Sequence, residues 1–214
     1  MASAKSLEKT KKKTKGPVIN IGPRSLKQEM FLNTKADICV FGGGASSGKS
    51  FLGIMDLLKH VEDPNFSALV VRRLTPQIHG PGGVFEKAVD MYRGVYGDKL
   101  KIRKRDGEIE FPSGAKVFFR HCQREEDKYN VQGWELGVIL IDESQQLDLA
   151  ETLYFMSRLR TEAKMKPYMR LTCNPDAKSF LRGWLDWFLL PDGLPDPEKC
   201  GVLRYFVMRN NVME

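Results

Sequence analysis

The stretch that most restricts how this chain can fold is Gly43-Gly44-Ala45-Ser46-Ser47-Gly48-Lys49-Ser50. It fits the spacing GxxxxGK[ST], which a chain of this length matches by chance in on the order of one case in a hundred. Upstream lies Ala36-Asp37-Ile38-Cys39-Val40-Phe41, short, apolar and partly β-branched, the pattern of a buried strand. Downstream, the segment from Lys49 to His60 carries Phe51, Leu52, Met55 and Leu58 at helical spacing. Strand, glycine loop and helix in that order make an anion cradle. Glycines let successive backbone N–H groups point inward, and the helix adds the positive end of its dipole. Gly43, Gly44, Ala45, Ser46, Ser47, Gly48, Lys49 and Ser50 are therefore the expected nucleotide-binding residues. Lys49 is expected to reach the β- and γ-phosphates of ATP, and the Ser50 hydroxyl to hold Mg²⁺. A ligand-free glycine turn is the competing reading; the strand and helix on either side weigh against it.

A cradle alone only binds, so hydrolysis needs a second element. Val138-Ile139-Leu140-Ile141-Asp142-Glu143 supplies it: an apolar strand delivers two acids to its C-terminal end, where open parallel sheets hold ligands. Asp142 is expected to orient Mg²⁺ and its water shell. Glu143 is expected to accept a proton from the attacking water or to hold that water in line. The expected catalytic set is thus Glu143, Lys49 and Asp142. An acidic pair at a strand end is common in isolation, and it is the glycine loop that favours the functional reading. The long interval between Lys49 and Asp142 leaves room for an inserted strand and a meander.

The remaining chain alternates strands and helices, which argues for a parallel sheet. Ser67 to Arg73 reads as a strand after a turn at Asp63-Pro64-Asn65, and a helix runs from about Val84 to Tyr96. Between Lys99 and His121 the pattern changes to an antiparallel meander, with Asp106-Gly107 as a two-residue hairpin signal. That register sets Arg105 opposite Glu108 and Arg103 opposite Glu110, a paired, solvated strand face rather than a DNA-binding patch. Lys99 and Lys101 are left as the better candidates for phosphate contact. A second turn falls at Ser113-Gly114. Further on, a helix from about Asp148 to Thr161 places Leu149, Leu153, Met156 and Leu159 on one stripe. Tyr168 to Cys173 reads as a strand stopped at Asn174-Pro175. A helix from about Lys178 to Leu190 carries Phe180, Trp184, Trp187 and Phe188 as a core stripe, and Val202 to Met208 reads as a last strand.

A hydrophobic fraction of 42% and a charged fraction of 29% suit one globular domain that needs no disulfides. Of the net charge of +7, +5 comes from six lysines and one glutamate between Lys5 and Lys15, a basic arm ending near Gly16-Pro17. A solubilising arm and one that touches DNA phosphates both stay open. Cys39, Cys122, Cys173 and Cys200 form no CxxC pair, so zinc and a disulfide framework are poorly supported. Cys39 and Cys173 fall in strands and read as buried reduced thiols. No apolar run approaches the ~20 residues of a membrane span, and no secretory signal is legible, so residence in the cytosol is expected.

The stretches LKQEMFLNTKADICVFGGGASSGKS, VVRRLTP, FPSGAKVFF, YNVQGWELGVILIDESQQL, SRLR and LTCNPDAKSFLRGWL, in that order, resemble the ATPase domain of tailed-phage terminase large subunits. The resemblance runs from about Leu26 to Met208 and is far more specific than the loop and acid pair alone. It implies an α/β P-loop NTPase of the ASCE type, with a mainly parallel central sheet flanked by helices and a small antiparallel meander near 99–121. It also implies a motor that couples MgATP hydrolysis to translocation of double-stranded DNA into a procapsid. The implied partners are the portal protein and the small terminase subunit. The chain would form a homo-oligomeric ring on the portal and a monomer in isolation, in the host cell cytoplasm. Gln28 would contact the adenine. Thr172-Cys173-Asn174 resembles the motif that senses the γ-phosphate and couples hydrolysis to DNA movement, with Thr172 and Asn174 as its residues.

The sequence departs from the family's pattern at two points. Many terminases carry an arginine in the phosphate loop or before the glycine preceding the acid strand; here Ala45, Ser46 and Gln132 stand there. Arg73, Arg158 and Arg160 are the candidates for an arginine finger given to a neighbouring subunit. The division expected is an arm over 1–17 and an ATPase domain over 18–214. An RNase-H-like nuclease domain would begin beyond Glu214, so no nuclease activity is expected from the residues present. Two rival functions remain: a helicase or recombination ATPase on the same core, and a nucleotide-gated binding module that does not hydrolyse.

Overall fold

The computed structural model describes residues 21–44, 46–209 and 212–213; the basic arm over 1–17 and Ala45 lie outside them. α1 (Leu26–Asn33) is capped by Ser25, whose hydroxyl accepts the Gln28 N–H. β1 (Ile38–Gly42) leads through the glycine loop into α2 (Lys49–Leu57). β2 (Ser67–Arg72), α3 (Thr75–His79) and α4 (Val84–Tyr96) follow. Then come β3 (Lys101–Arg103), β4 (Glu108–Glu110), β5 (Lys116–His121) and β6 (Val138–Ile141). α5 (Leu149–Met156), β7 (Tyr168–Cys173) and α6 (Leu181–Trp184) complete the domain, and a ribbon of β8 (Met208–Arg209) with β9 (Val212–Met213) ends the described chain.

The seven strands of the main sheet lie in the order β1-β7-β6-β2-β5-β4-β3. Neighbours from β1 to β5 are parallel, and the β5-β4-β3 end is antiparallel. Side chains of a strand alternate between faces. Ala68, Val70, Val138 and Leu140 accordingly join the core under α2 and α4, while Leu69, Val71, Ile139 and Ile141 join the opposite core with Phe155 and Trp184. Helices therefore cover both faces, which is why β6 is apolar at every position. α2 lies close on β6: a Cβ built at Gly53 would come within 2.8 Å of the Leu140 side chain. Among the described residues no helix is long and apolar enough to cross a membrane.

The fold class is the one expected, but several local expectations fail. The antiparallel meander expected near 99–121 is present, and because β5 also pairs in parallel with β2 it extends the main sheet. Its register differs from the hairpin expected at Asp106-Gly107: Arg103 faces Glu108 and Lys101 faces Glu110. That slip sets Ile102 opposite Ile109, so the two apolar residues meet on the core face. Lys101 is consequently not left for phosphate contact, since its Nζ donates to Glu110 Oε1 at 2.6 Å. Phe51, placed on the buried stripe of the loop helix, is 43% exposed.

The helix expected to reach Thr161 stops at Met156, because the chain turns to exchange backbone hydrogen bonds with Leu136 through Arg158 and Arg160. The long helix expected over 178–190 is a single turn, α6, followed by a 3-10 turn at Asp186–Phe188. The Phe188 carbonyl is taken by the Asp196 N–H, which draws the chain into a loop. The aromatic pairing survives, with the Phe180 and Trp184 rings 5.1 Å apart. Residues 202–207 form no strand; Tyr205 is 92% exposed, and no ladder among the described residues includes this segment.

Candidate functional site

β1, β2, β6 and β7 are parallel, so their C-terminal ends share one edge of the sheet. The register sets Phe41 beside Thr172, Gly42 beside Cys173, Leu171 beside Ile141, and Ile141 beside Val71. The glycine loop, Arg72, the acid pair and Thr172-Cys173-Asn174 thus leave the sheet together. The loop strand and the acid strand are not neighbours: β7, which follows both in sequence, lies between them. Its last residues can therefore touch both.

Gly48 adopts a left-handed conformation (φ 78°) and caps α2, which makes Lys49 the first helical residue. Lys49 is only 6% exposed. Its Nζ donates to the carbonyls of Gly43 at 2.8 Å and Gly44 at 2.7 Å, to Ser47 Oγ at 3.3 Å and to Asn174 Oδ1 at 2.9 Å. The expected residues Gly43, Gly44, Ser46, Ser47, Gly48, Lys49 and Ser50 form one loop and helix start; Ala45 lies outside the described residues. Gln28, on α1, abuts the same loop, with its Nε2 donating to the Ser47 carbonyl at 3.3 Å.

Asp142 is 0% exposed. Its Oδ1 accepts the Thr172 hydroxyl, and its Oδ2 accepts Arg72 Nε at 2.7 Å. Arg72 Nη2 reaches Ser50 Oγ at 3.0 Å. Glu143 follows in the left-handed region (φ 60°), and Ser46 in the loop (φ 63°) is the other non-glycine residue held there among the described residues. Such conformations cost of order 1–3 kcal/mol each and persist only when the surroundings impose them. At Glu143 the N–H donates to Thr172 Oγ1 at 3.3 Å. Its Oε2 accepts Gln145 Nε2 at 2.6 Å and Asn174 Nδ2 at 2.8 Å. Both faces of the Asn174 amide are therefore used, one toward Lys49 and one toward Glu143.

Burial pushes the pKa of the Cys173 thiol up to about 11, against the pull of Lys49, and pushes that of Cys39 up to about 11. All four cysteines are free; Cys122 and Cys173 are buried, whereas Cys39, expected to be buried, and Cys200 are partly exposed.

The three arginines proposed as finger donors make their hydrogen bonds and ion pairs away from the loop and the acid pair. Arg73 Nη1 holds Glu151 at 2.6 and 2.9 Å, tying the end of β2 to the start of α5. Arg158 lies over the Tyr154 ring, and Arg160 pairs with Glu135 at 3.2 Å. Sequence reasoning missed Arg72, Gln145 and Ser144, whose hydroxyl donates to the Thr172 carbonyl at 2.9 Å. Strand alternation was the signal available for Arg72, since adjacent arginines at a strand end must face opposite ways.

Ser50 Oγ and the Asp142 carboxylate are hard oxygen donors of the kind Mg²⁺ takes. A cation, the Arg72 guanidinium, already spans them, so the donor set fits the metal. Among the described residues no group of three or more His, Cys, Asp or Glu could hold a metal ion. Two protein oxygens would need phosphates and water to complete an octahedron, the usual Mg²⁺ arrangement in nucleotide sites.

A family model described as terminase large subunit, T4likevirus-type, N-terminal, matches residues 40–199. No curated protein sequence matches. Among solved structures, the chain is similar to the large terminase ATPase domain of Thermus phage P74-26, with a TM-score of 0.58 at 14% identity, covering 85% of this chain and 76% of that one. It is similar to the Phi-28 gp11 DNA packaging motor, with a TM-score of 0.52 at 16% identity, covering 87% and 57%. A large terminase from a thermophilic bacteriophage, solved in complex with ADP, gives a TM-score of 0.55 at 16% identity, covering 72% of this chain and 39% of that one. The chain thus spans well under half the length of that relative. At such identities the likeness carries the fold.

Proposed function

The chain belongs to the terminase large-subunit family, T4likevirus-type N-terminal, and from that membership we propose that it is an ATP-hydrolysing motor domain that moves double-stranded viral DNA into a procapsid. The observation that carries this reading is the Asn174 amide, which hydrogen-bonds Lys49 on one side and Glu143 on the other. A phosphate-binding lysine and an acid able to handle water are thereby held in one cleft, one side chain apart.

Each residue then has a role. Lys49 exchanges its loop-carbonyl partners for the β- and γ-phosphates of ATP. Ser50 and Asp142 hold Mg²⁺, which when bound neutralises charge on the phosphate oxygens. Glu143, gripped through Oε2 by Asn174 and Gln145, turns its other oxygen to the attacking water and accepts its proton. Gln28, whose Nε2 meets the Ser47 carbonyl of the loop, is the candidate contact for the base. Loss of the γ-phosphate changes what Lys49 binds, and Asn174 passes that change to the end of β7, which supports Thr172 and Asn174 as the coupling residues. Ring assembly on a portal, a small-subunit partner and a nuclease domain beyond Glu214 belong to the same proposal.

The test is phosphate release from ATP, with and without duplex DNA, over a range of protein concentrations. Release that rises with both is the expected result, because a finger supplied by a neighbour contributes ~10³–10⁵ in rate in related enzymes. Binding of MgATP with no release at the highest concentration would make the chain a docking module. Strand separation on a forked duplex would make it a helicase. Either result overturns the proposal.

A further inference from the structure

Arg72 is the one charged side chain of the cleft that the proposed chemistry leaves without a task, and its position is specific. A single guanidinium nitrogen, Nη2, lies 3.0 Å from Ser50 Oγ and 2.5 Å from Asp142 Oδ2, while Nε adds a second bond to the same carboxylate oxygen at 2.7 Å. Those two oxygens are the only protein donors the metal reading names. We infer that Arg72 is a built-in stand-in for the metal, which neutralises Asp142 in the nucleotide-free protein and is displaced when the metal arrives with a nucleotide. This rests on the nucleotide-binding reading above.

Three observations carry the inference. Asp142 is wholly buried and cannot be solvated by water, so its carboxylate needs a cation beside it to offset the cost of desolvation. Thr172 already takes the other carboxylate oxygen, so Arg72 and a metal would compete for Oδ2. Both cations cannot sit within bonding distance of that oxygen and of Ser50 Oγ together. Beyond those two oxygens Arg72 is held weakly among the described residues: its side chain is 13% exposed, and its other bond, to the Gln77 carbonyl in the middle of α3, is a long 3.5 Å. Arg73, next in the chain, is held by two comparably short bonds to buried Glu151, a carboxylate for which no metal is proposed to compete. Two adjacent arginines of the same strand end thus do different work, one as a fixed strut and the other as a displaceable counter-ion.

The consequence is an energetic coupling that can be measured without turnover. In the wild type, part of the metal's binding free energy goes into evicting Arg72. In Arg72→Gln, no cation has to leave, so the metal should strengthen ADP binding by a larger factor.

The experiment compares ADP affinity in Mn²⁺ with ADP affinity in EDTA, by titration of a fluorescent ADP analogue. Expected is a metal enhancement about tenfold greater in Arg72→Gln than in the wild type, the scale of one charge-assisted hydrogen bond, with affinity in EDTA little changed. An equal or smaller enhancement in the variant overturns the inference, because Arg72 would then stay in place or help to position the metal. Should Arg72→Gln fail to fold, the wild type labelled with ¹⁵N-arginine decides the matter, with Arg72→Lys used to identify the Nε–H signal. That signal should move to the position of an unbonded guanidinium with Mg²⁺ and ADP, and stay put with ADP and EDTA. A signal unmoved at saturating Mg²⁺ and ADP overturns this inference alone. Absence of ADP binding in either condition sinks it together with the nucleotide reading.

Discussion

Asn174 Nδ2 lies 2.8 Å from Glu143 Oε2, joining residues that follow two neighbouring strands, β7 and β6. Glu143→Gln keeps this shape, since the amide oxygen still accepts from Asn174. Nucleotide affinity should therefore hold while phosphate release falls by at least ~10², the usual contribution of a general base. Unchanged release would remove Glu143 from its proposed role.

Asn174→Ala frees both Lys49 and Glu143 from their shared partner. Turnover should fall by roughly 10–100-fold through lost positioning alone. In the Glu143→Gln background the same change should add little, because residues that act as a unit are not additive. Additive losses in that double variant would show that Asn174 works apart from Glu143.

Thr172→Val removes the donor to the Oδ1 atom of buried Asp142 and leaves an unsatisfied carboxylate oxygen. A stability loss of about 1–3 kcal/mol is expected from urea unfolding. Thr172→Ser, which restores the hydroxyl, should recover most of it. Equal midpoints for Val and wild type would mean that the hydroxyl does not support Asp142.

Gly53→Ala puts a methyl group 2.8 Å from Leu140 Cδ1 and Cδ2, in the seam between α2 and β6. Overpacking costs about 1–3 kcal/mol and outweighs the ~1 kcal/mol that alanine gains as a helix former. A lowered unfolding midpoint, partly restored by adding Leu140→Val, is the expected pattern. A stabilised Gly53→Ala would show that the seam can open freely.

His60 shares a hydrogen bond of 3.1 Å with Tyr168 Oη, and burial holds its pKa below the ordinary value of 6.5, outweighing the opposing pull of Asp56. The unfolded chain then binds more protons between the folded pKa and 6.5, so stability is complete above 6.5 and is lost as pH falls through that window. His79, also held low by burial, acts in the same direction. His60→Gln should flatten the fall in urea midpoint between about pH 7.5 and about pH 5.5. An unaltered slope would exclude His60 as its source.

Local chemistry was enough for the parts of the site that are contiguous in the chain. Glycine spacing, a lysine at a helix start and two acids after an apolar run carry their meaning within a few residues, because backbone freedom, the helix dipole and strand burial are short-range properties. Strand limits at Tyr168–Cys173 and the helix Val84–Tyr96 were legible for the same reason. What stayed hidden depended on which strands become neighbours. The insertion of β7 between β1 and β6 brings Asn174 to Lys49 and Glu143, and no spacing in the chain announces it. The placing of β2 beside β6 turns Arg72 from one of two equivalent arginines into the partner of Asp142. The hairpin register, the early end of α5 and the collapse of the helix expected over 178–190 were likewise decided by partners outside the local element, Ile102 against Ile109, Leu136 against Arg158 and Arg160, and Phe188 against Asp196. Propensity weighs fractions of a kcal/mol at each residue, whereas a buried apolar pair or an unsatisfied backbone group weighs one or more, so contact prevails wherever the two disagree.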